Sequence, residues 1–274
     1  MNKLEFAQKV VEIIESKTDK EIEIKSIQKN NITKLGIIVK DKYKSYAPTF
    51  YVDDFMDKSV EIMADTILNF KCDNMNEDIV SSAKNIMNDN DEIFKRLTMK
   101  LLNKEKNINS DALSYDLGNG LIAQFIIILN AEMSVTIKQD FADNKGFTKE
   151  QLFKIAKENL TNEIDIVNMA KFLSKNADIG FPFPVLPIYI ITNKRKMYGA
   201  SCVYAKGLKD ILTTYIGDFY LLPSSIHEMI AVPKDDIESY KNMVQSVNSS
   251  VLSDEDYLSD NIYDLISDGN LQIA

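Results

Sequence analysis

Between Pro187 and Pro233 the chain reads PIYIITNKRKMYGASCVY, then AKGLKDILTTYIG, then DFYLLPSSIHEMIAVP. The outer two segments alternate like strands and the middle one repeats like a helix. A strand carries N–H and C=O groups that only another strand can satisfy in bulk. A hairpin–helix–hairpin run therefore demands a sheet with helices laid against it. Ile188, Ile190 and Thr192 alternate with Tyr189 and Ile191, Lys194-Arg195-Lys196 form a polar turn, and Tyr198 to Tyr204 is expected to return as a second strand. Leu208, Ile211 and Leu212 share one face of a short helix closed by Gly217. A further strand pair pivots on Pro223-Ser224-Ser225, just before the single histidine, His227.

The rest of the chain supplies more of the same units. Asn2 and Glu5 stand at the spacing of a reciprocal helix cap, followed by the stripe Phe6, Val10, Ile13 and Ile14. Glu21 to Ile27 and Lys34 to Val39 read as strands around Asn30-Asn31, and Pro48 enters a third through Tyr51. Ser59 caps a helix bearing Val60, Met63, Ile67 and Phe70, and Ile79 to Met87 forms another. Asp91 to Asn107 fits helix and strand templates equally by periodicity. Leu113 to Leu117 and Leu121 to Leu129 are strands joined through Gly118-Asn119-Gly120, with Met133 to Lys138 as another. Thr148 with Gln151 caps the helix that carries Leu152, Ile155, Ala156 and Leu160. Asn176 to Pro187 is the one composition break that reads as a linker. The expectation is an α+β protein of mostly antiparallel sheets flanked by helices, with strand–strand–helix units in two lobes. These are an N-terminal lobe over 1–175 and a C-terminal lobe over 188–274 with an acidic tail, or one continuous domain.

Charge is unevenly placed. The net charge is −9, and from Pro233 onward nine acids face only Lys234 and Lys241. Direct nucleic-acid binding is disfavoured, because phosphate contact needs a basic face. A solvated terminus is preferred to a tail that docks on a basic partner or mimics nucleic acid. Ile262, Tyr263, Leu265 and Leu271 argue that part of this tail packs. No window approaches the roughly 18 apolar residues of a membrane span. The first 17 residues read as an amphipathic helix and not a signal peptide. Cys72 and Cys202 are far apart and suit a reducing cytoplasm, where both are buried apolar residues.

Several stretches carry a resemblance. KNNITKLGIIV, APTFYVDDFMD, FTKEQLFKIAKENL, ITNKRKMYGASCVY, DFYLLPSSIHEMIAVP and the terminal YLSDNIY are similar to the pattern of an uncharacterised family of Firmicutes, clostridial gut bacteria above all, known only as a domain of unknown function. LLPSSIHE and NKRKMYGA are the most specific parts. The order of elements also resembles, more faintly, the uncharacterised YtpQ-like proteins. The first resemblance implies a strand over Glu92 to Leu102. It implies no known activity. The kind of family suggests a protein-binding or regulatory role in a mobile-element or phage–host setting.

Chemistry has few candidates. Ser224, Ser225, His227 and Glu228 place hydroxyls, a base and a carboxylate within five positions. On a strand Ser225 and His227 share a face while Glu228 points oppositely, so the acid of a relay would come from elsewhere. No GxSxG elbow accompanies them. The preferred reading is a turn at Pro223-Ser224-Ser225 with His227 as a hydrogen-bonded strand residue beside Met229. One histidine and two distant cysteines make no closed zinc site, and the glycines make no phosphate loop, so no metal and no cofactor are expected. Lys194-Arg195-Lys196 reads first as a solvated turn, and as a basic tip able to contact an acidic protein partner these three with Tyr198 are the candidate binding residues. The function expected is non-enzymatic binding. The competing class is a hydrolase or transferase centred on Ser225 and His227.

Overall fold

The computed structural model describes residues 1–41, 47–70, 77–131, 133–176, 187–267 and 269–274. The chain forms two compact units, Met1–Asp89 and Asn90–Ala274. The fold is α+β, and every strand pair among the described residues is antiparallel.

In the first unit, α1 (Lys3–Glu15) is capped reciprocally. Asn2 Oδ1 accepts the Glu5 N–H at 2.9 Å, and a Glu5 carboxylate oxygen accepts the Asn2 N–H at 3.1 Å. Strands β1 (Glu21–Lys29) and β2 (Ile32–Lys40) pair through a two-residue turn in which Asn30 takes φ of 50°, a value asparagine tolerates. The short β3 (Thr49–Tyr51) extends this sheet on β2. Helix α2 (Val60–Leu68) starts at Ser59, whose Oγ accepts the Ile62 N–H at 3.3 Å. Helix α3 (Glu77–Asn88) follows. Phe6, Val10 and Ile14 meet Ile37, Val39, Met63 and Ile67 in one core, each worth about 1.5–3 kcal/mol by burial.

The second unit opens with α4 (Asn90–Arg96), which runs directly into β4 (Leu97–Asn103). Then come β5 (Ser114–Asp116), β6 (Leu121–Ile128) and β7 (Ser134–Thr136), with β4 along one edge of β6 and β5 and β7 along the other. Strand β6 is buried along nearly its whole length, which explains an apolar run broken by Gln124 alone. Helices α5 (Gln139–Lys145) and α6 (Lys149–Glu163) come next, and α6 lies against β4. Thr148 Oγ1 accepts the Gln151 N–H at 3.2 Å, and Leu152, Ala156 and Leu160 form the buried stripe. The larger sheet collects β8 (Ile164–Asn168), β9 (Tyr189–Asn193), β10 (Phe219–Ser225), β11 (Glu228–Pro233), β12 (Tyr263–Leu265) and β13 (Leu271–Ile273). Their spatial order is β13-β12-β10-β11-β9-β8. Three helices interleave with them: α7 (Met169–Asn176), α8 (Leu208–Ile216) and α9 (Ile237–Ser250). Val244 of α9 packs with Leu222, Val232 and Ile262. The acidic tail thus packs in part, through Ile262, Tyr263, Leu265 and Leu271.

Local expectations fail at three places. Tyr198 to Tyr204 is not a second strand. Tyr198 adopts a left-handed conformation with φ of 58°, and Gly199–Tyr204 coils as a 3-10 turn with all six residues buried. Five successive buried side chains, Ala200 to Tyr204, cannot sit on a strand with one wet face, so packing overrides β-propensity. Glu92 to Leu102 is not one strand either. Asp91 and Glu92 suit a helix N-terminus and Lys95 and Arg96 a C-terminus, so α4 forms and the strand starts only at Leu97. The hairpin pivot is also displaced. Pro223 and Ser224 belong to β10, where the register shifts between Pro223 and Ser225, and the turn is Ile226-His227. A bulge accommodates a proline that has no N–H to give the ladder.

Residues 177–186, most of the expected linker, lie outside the described residues, and so does Cys72. The strands on either side of that stretch, β8 and β9, pair from Ile164–Asn193 to Asn168–Tyr189. Among the described residues no helix is long and apolar enough to cross a membrane.

Candidate functional site

His227 sits in the tight turn between β10 and β11, held from three sides. The backbone N–H of Tyr198 donates to Nδ1 at 3.0 Å, and Nε2 lies 3.3 Å from Asp256 Oδ1. The His227 carbonyl accepts from Thr192 Oγ1 at 2.9 Å. The Tyr198 ring stacks beside the imidazole, with centroids 5.5 Å apart and planes 25° off parallel, and Lys100 Nζ lies 5.3 Å from the Tyr198 centroid. A ring nitrogen that accepts from a backbone N–H carries no proton. The neutral tautomer therefore bears its proton on Nε2, directed at Asp256. Asp256 is fixed in turn, since its Oδ2 accepts from Ser253 Oγ at 2.8 Å and its carbonyl accepts the Ile226 N–H at 2.9 Å.

The two serines are occupied elsewhere. Ser225 Oγ accepts from the backbone N–H of His227 at 3.0 Å, and Ser224 Oγ donates to Glu228 Oε1 at 3.1 Å. Ser225, His227 and an acid are brought close, yet the hydroxyl meets the histidine backbone and not its ring. For the imidazole to accept a proton at Nδ1 it would first have to break from Tyr198.

The basic turn is equally tied down. Asn193 is buried, and its side chain brackets the turn: Nδ2 donates to the Met197 carbonyl at 2.7 Å and Oδ1 accepts the Met197 N–H at 3.2 Å. Lys194 Nζ donates to the Asn162 carbonyl at 2.7 Å, and Lys196 Nζ pairs with Asp165 at 2.5 Å. Tyr198 is committed to His227. Arg195 stands apart, because its Nε is buried and takes no hydrogen-bond partner among the described residues. It lines a cavity of about 440 Å³ with Lys95, Arg96, Thr98, Asn130 and Glu163. With Tyr198 it also lines a smaller one of about 20 Å³.

A broader groove of about 820 Å³ lies between α6 and the start of α8. Its aromatic residues satisfy one another. Tyr115 and Phe153 stack at 4.4 Å, Phe153 meets Tyr204 edge-on at 5.8 Å, and Lys157 Nζ lies 5.5 and 5.6 Å from the Phe153 and Tyr204 centroids. Cys202 is buried, and burial first, then the charge of Glu163, pushes its thiol up to about 12. Among the described residues no three His, Cys, Asp or Glu side chains come together as a metal site.

Three contributors escape sequence reading. Asp256 lies in the acidic run that reads as solvated, 29 positions from His227. Lys100 sits within a strand. Arg96 is separated by nearly a hundred residues from Arg195, and its signal is compositional: the chain has 32 basic residues, of which only Arg96 and Arg195 are arginine.

No curated protein and no solved structure matches the chain. One family profile does, described as a family of unknown function (DUF5688), over residues 3–265. Since that match covers nearly the whole sequence, the chain belongs to this family.

Proposed function

We propose that this protein acts by binding a protein partner, in a regulatory capacity, and not by catalysing hydrolysis or group transfer. The observation that carries this reading is the double engagement of the His227 ring, by the Tyr198 N–H at one nitrogen and Asp256 at the other. A general base needs a free lone pair facing the proton it removes. Here that lone pair holds the turn together, Ser224 donates its hydroxyl proton to Glu228, and Ser225 Oγ meets the His227 backbone N–H and not the ring. The same contacts make the 193–198 turn rigid, which lowers the cost of ordering it against a partner. On that turn the buried Nε of Arg195 is a donor that takes no partner among the described residues.

The test compares wild type with His227→Gln and Arg195→Glu, each first shown to fold by circular dichroism. Cross-linking in a lysate of the native host should capture the same protein with wild type and His227→Gln, and lose it with Arg195→Glu. Capture indifferent to Arg195, or an esterase or transferase activity that disappears with His227→Gln while folding is intact, would overturn the reading.

A further inference from the structure

In a chain that uses lysine for nearly every positive charge, both arginines line one cavity. Lysine is a rotatable point charge, whereas the guanidinium is a planar fork that matches a carboxylate bidentately. At about 440 Å³ the cavity falls within the range of small-ligand sites. Arg96 is steadied by its own helix, through an Nε donation to Glu92 at 2.8 Å, and its Nη1 reaches the Leu129 carbonyl only at 3.4 Å. Arg195 is steadied by its neighbours, since Lys194, Lys196 and Asn193 are all bonded to the surrounding framework. Its buried Nε meets no acceptor among the described residues, and a buried donor left unbonded costs free energy.

Charge specifies the occupant. Lys95, Arg96 and Arg195 line the cavity together with Glu163, and Lys95 and Arg96 both pair with Glu92. Among the described residues the lining thus holds three cations and one carboxylate, and Glu92, outside the lining, pairs with two of those cations, which leaves positive charge for one small anion. We infer that the cavity between α4 and the 193–198 turn is a monocarboxylate site, with Arg195 and Arg96 as its donors. The inference rests on the binding reading above and names the chemistry this face recognises. The carboxylate comes either from a free small acid or from an Asp, Glu or C-terminus of the partner protein.

Two arginines make the test direct. The full chain labelled with ¹⁵N should show two arginine Nε–Hε cross-peaks, assigned by Arg96→Lys and Arg195→Lys. Sodium acetate should move both peaks along one saturating curve in the millimolar range. Sodium chloride and inorganic phosphate at matched ionic strength should not. A capped Gly-Glu-Gly peptide titrated against its Gly-Gln-Gly counterpart separates the sources. If the Glu peptide binds more tightly than acetate, the carboxylate is protein-borne, and if only acetate binds, it is a free acid. Arg195→Lys should weaken acetate by about tenfold, since charge is kept and the fork is lost. Should that variant fail to fold, the wild-type titration decides alone. Shifts that never saturate, or that chloride reproduces, would overturn the inference even if a partner is captured. Acetate binding with no partner captured would leave the site standing and overturn the reading above.

Discussion

Gly199 offers the most direct measure of how tightly the His227 turn is wedged. A Cβ built there would lie 2.3 Å from Thr192 Oγ1, 2.5 Å from the Asn193 nitrogen and 2.6 Å from the His227 carbonyl oxygen. Comfortable contact needs about 3.5 Å, so Gly199→Ala demands a displacement of about 1 Å. Two of the three obstacles are backbone atoms and cannot rotate away. Overpacking costs about 1–3 kcal/mol, and backbone obstruction puts this site at the upper end. Pushing the His227 carbonyl off Thr192 Oγ1 forfeits a hydrogen bond worth about 1 kcal/mol. The expected loss is about 3–4 kcal/mol. For a unit of this size each kcal/mol moves Tm by about 2–4 °C, so the transition should fall by about 6–16 °C. Scanning calorimetry with urea unfolding as a second probe measures this. Adding Thr192→Ala removes the nearest obstacle, so the double variant should lose less than the two single losses added together. A Gly199→Ala protein within about 0.5 kcal/mol of wild type, the range of ordinary surface changes, would refute the wedge.

Other outcomes follow from other parts of the molecule. Thr148→Ala removes the cap of α6 and should cost about 1 kcal/mol in thermal unfolding, whereas Thr148→Ser should cost less. Truncation after Val251 strips Leu258, Ile262, Tyr263, Leu265 and Leu271 from the core at about 1.5–3 kcal/mol each, and the product should be insoluble or molten by near-ultraviolet circular dichroism. In a Cys72→Ser background, Cys202 should resist iodoacetamide at pH 8 until the protein is unfolded, because its thiol is raised to about 12. The sign of the linkage follows: the neutral thiol's contribution to stability is complete below the unfolded value of about 8.5 and is lost as pH rises towards 12.

Much of the scaffold is legible one segment at a time. The Asn2–Glu5 cap, Ser59, Thr148, the Asn30-Asn31 turn and the buried run of β6 all depend on neighbours within a few positions. What fails is what distance decides. Tyr198 to Tyr204 has strand composition, but the left-handed turn at Tyr198 and the close approach of Thr192 and His227 at Gly199 lead into a 3-10 segment over Gly199–Tyr204. Ser224 reads as a turn residue, yet the bulge keeps it in β10 and moves the turn to Ile226-His227. At the site, the closeness of Ser225 and His227 is written in the sequence. The direction of the ring is not, because it depends on a backbone N–H from Tyr198 and a carboxylate from Asp256. The lysines of the basic turn read as a solvated tip that could contact a partner, whereas in the fold the Asn162 carbonyl and the Asp165 carboxylate hold them.

The place of β12 in the larger sheet has a consequence for how the protein is made. Strand β10 lies between β11, its immediate hairpin partner, and β12, which is synthesised only after the whole of α9. Until β12 has left the ribosome, β10 has only β11 to pair with, and the other edge of β10 stands open beside the apolar Leu221 and Leu222. An unpaired edge is a template for any neighbouring chain. Nascent copies on one polysome are thus at their most adhesive until Tyr263 to Ile273 have emerged.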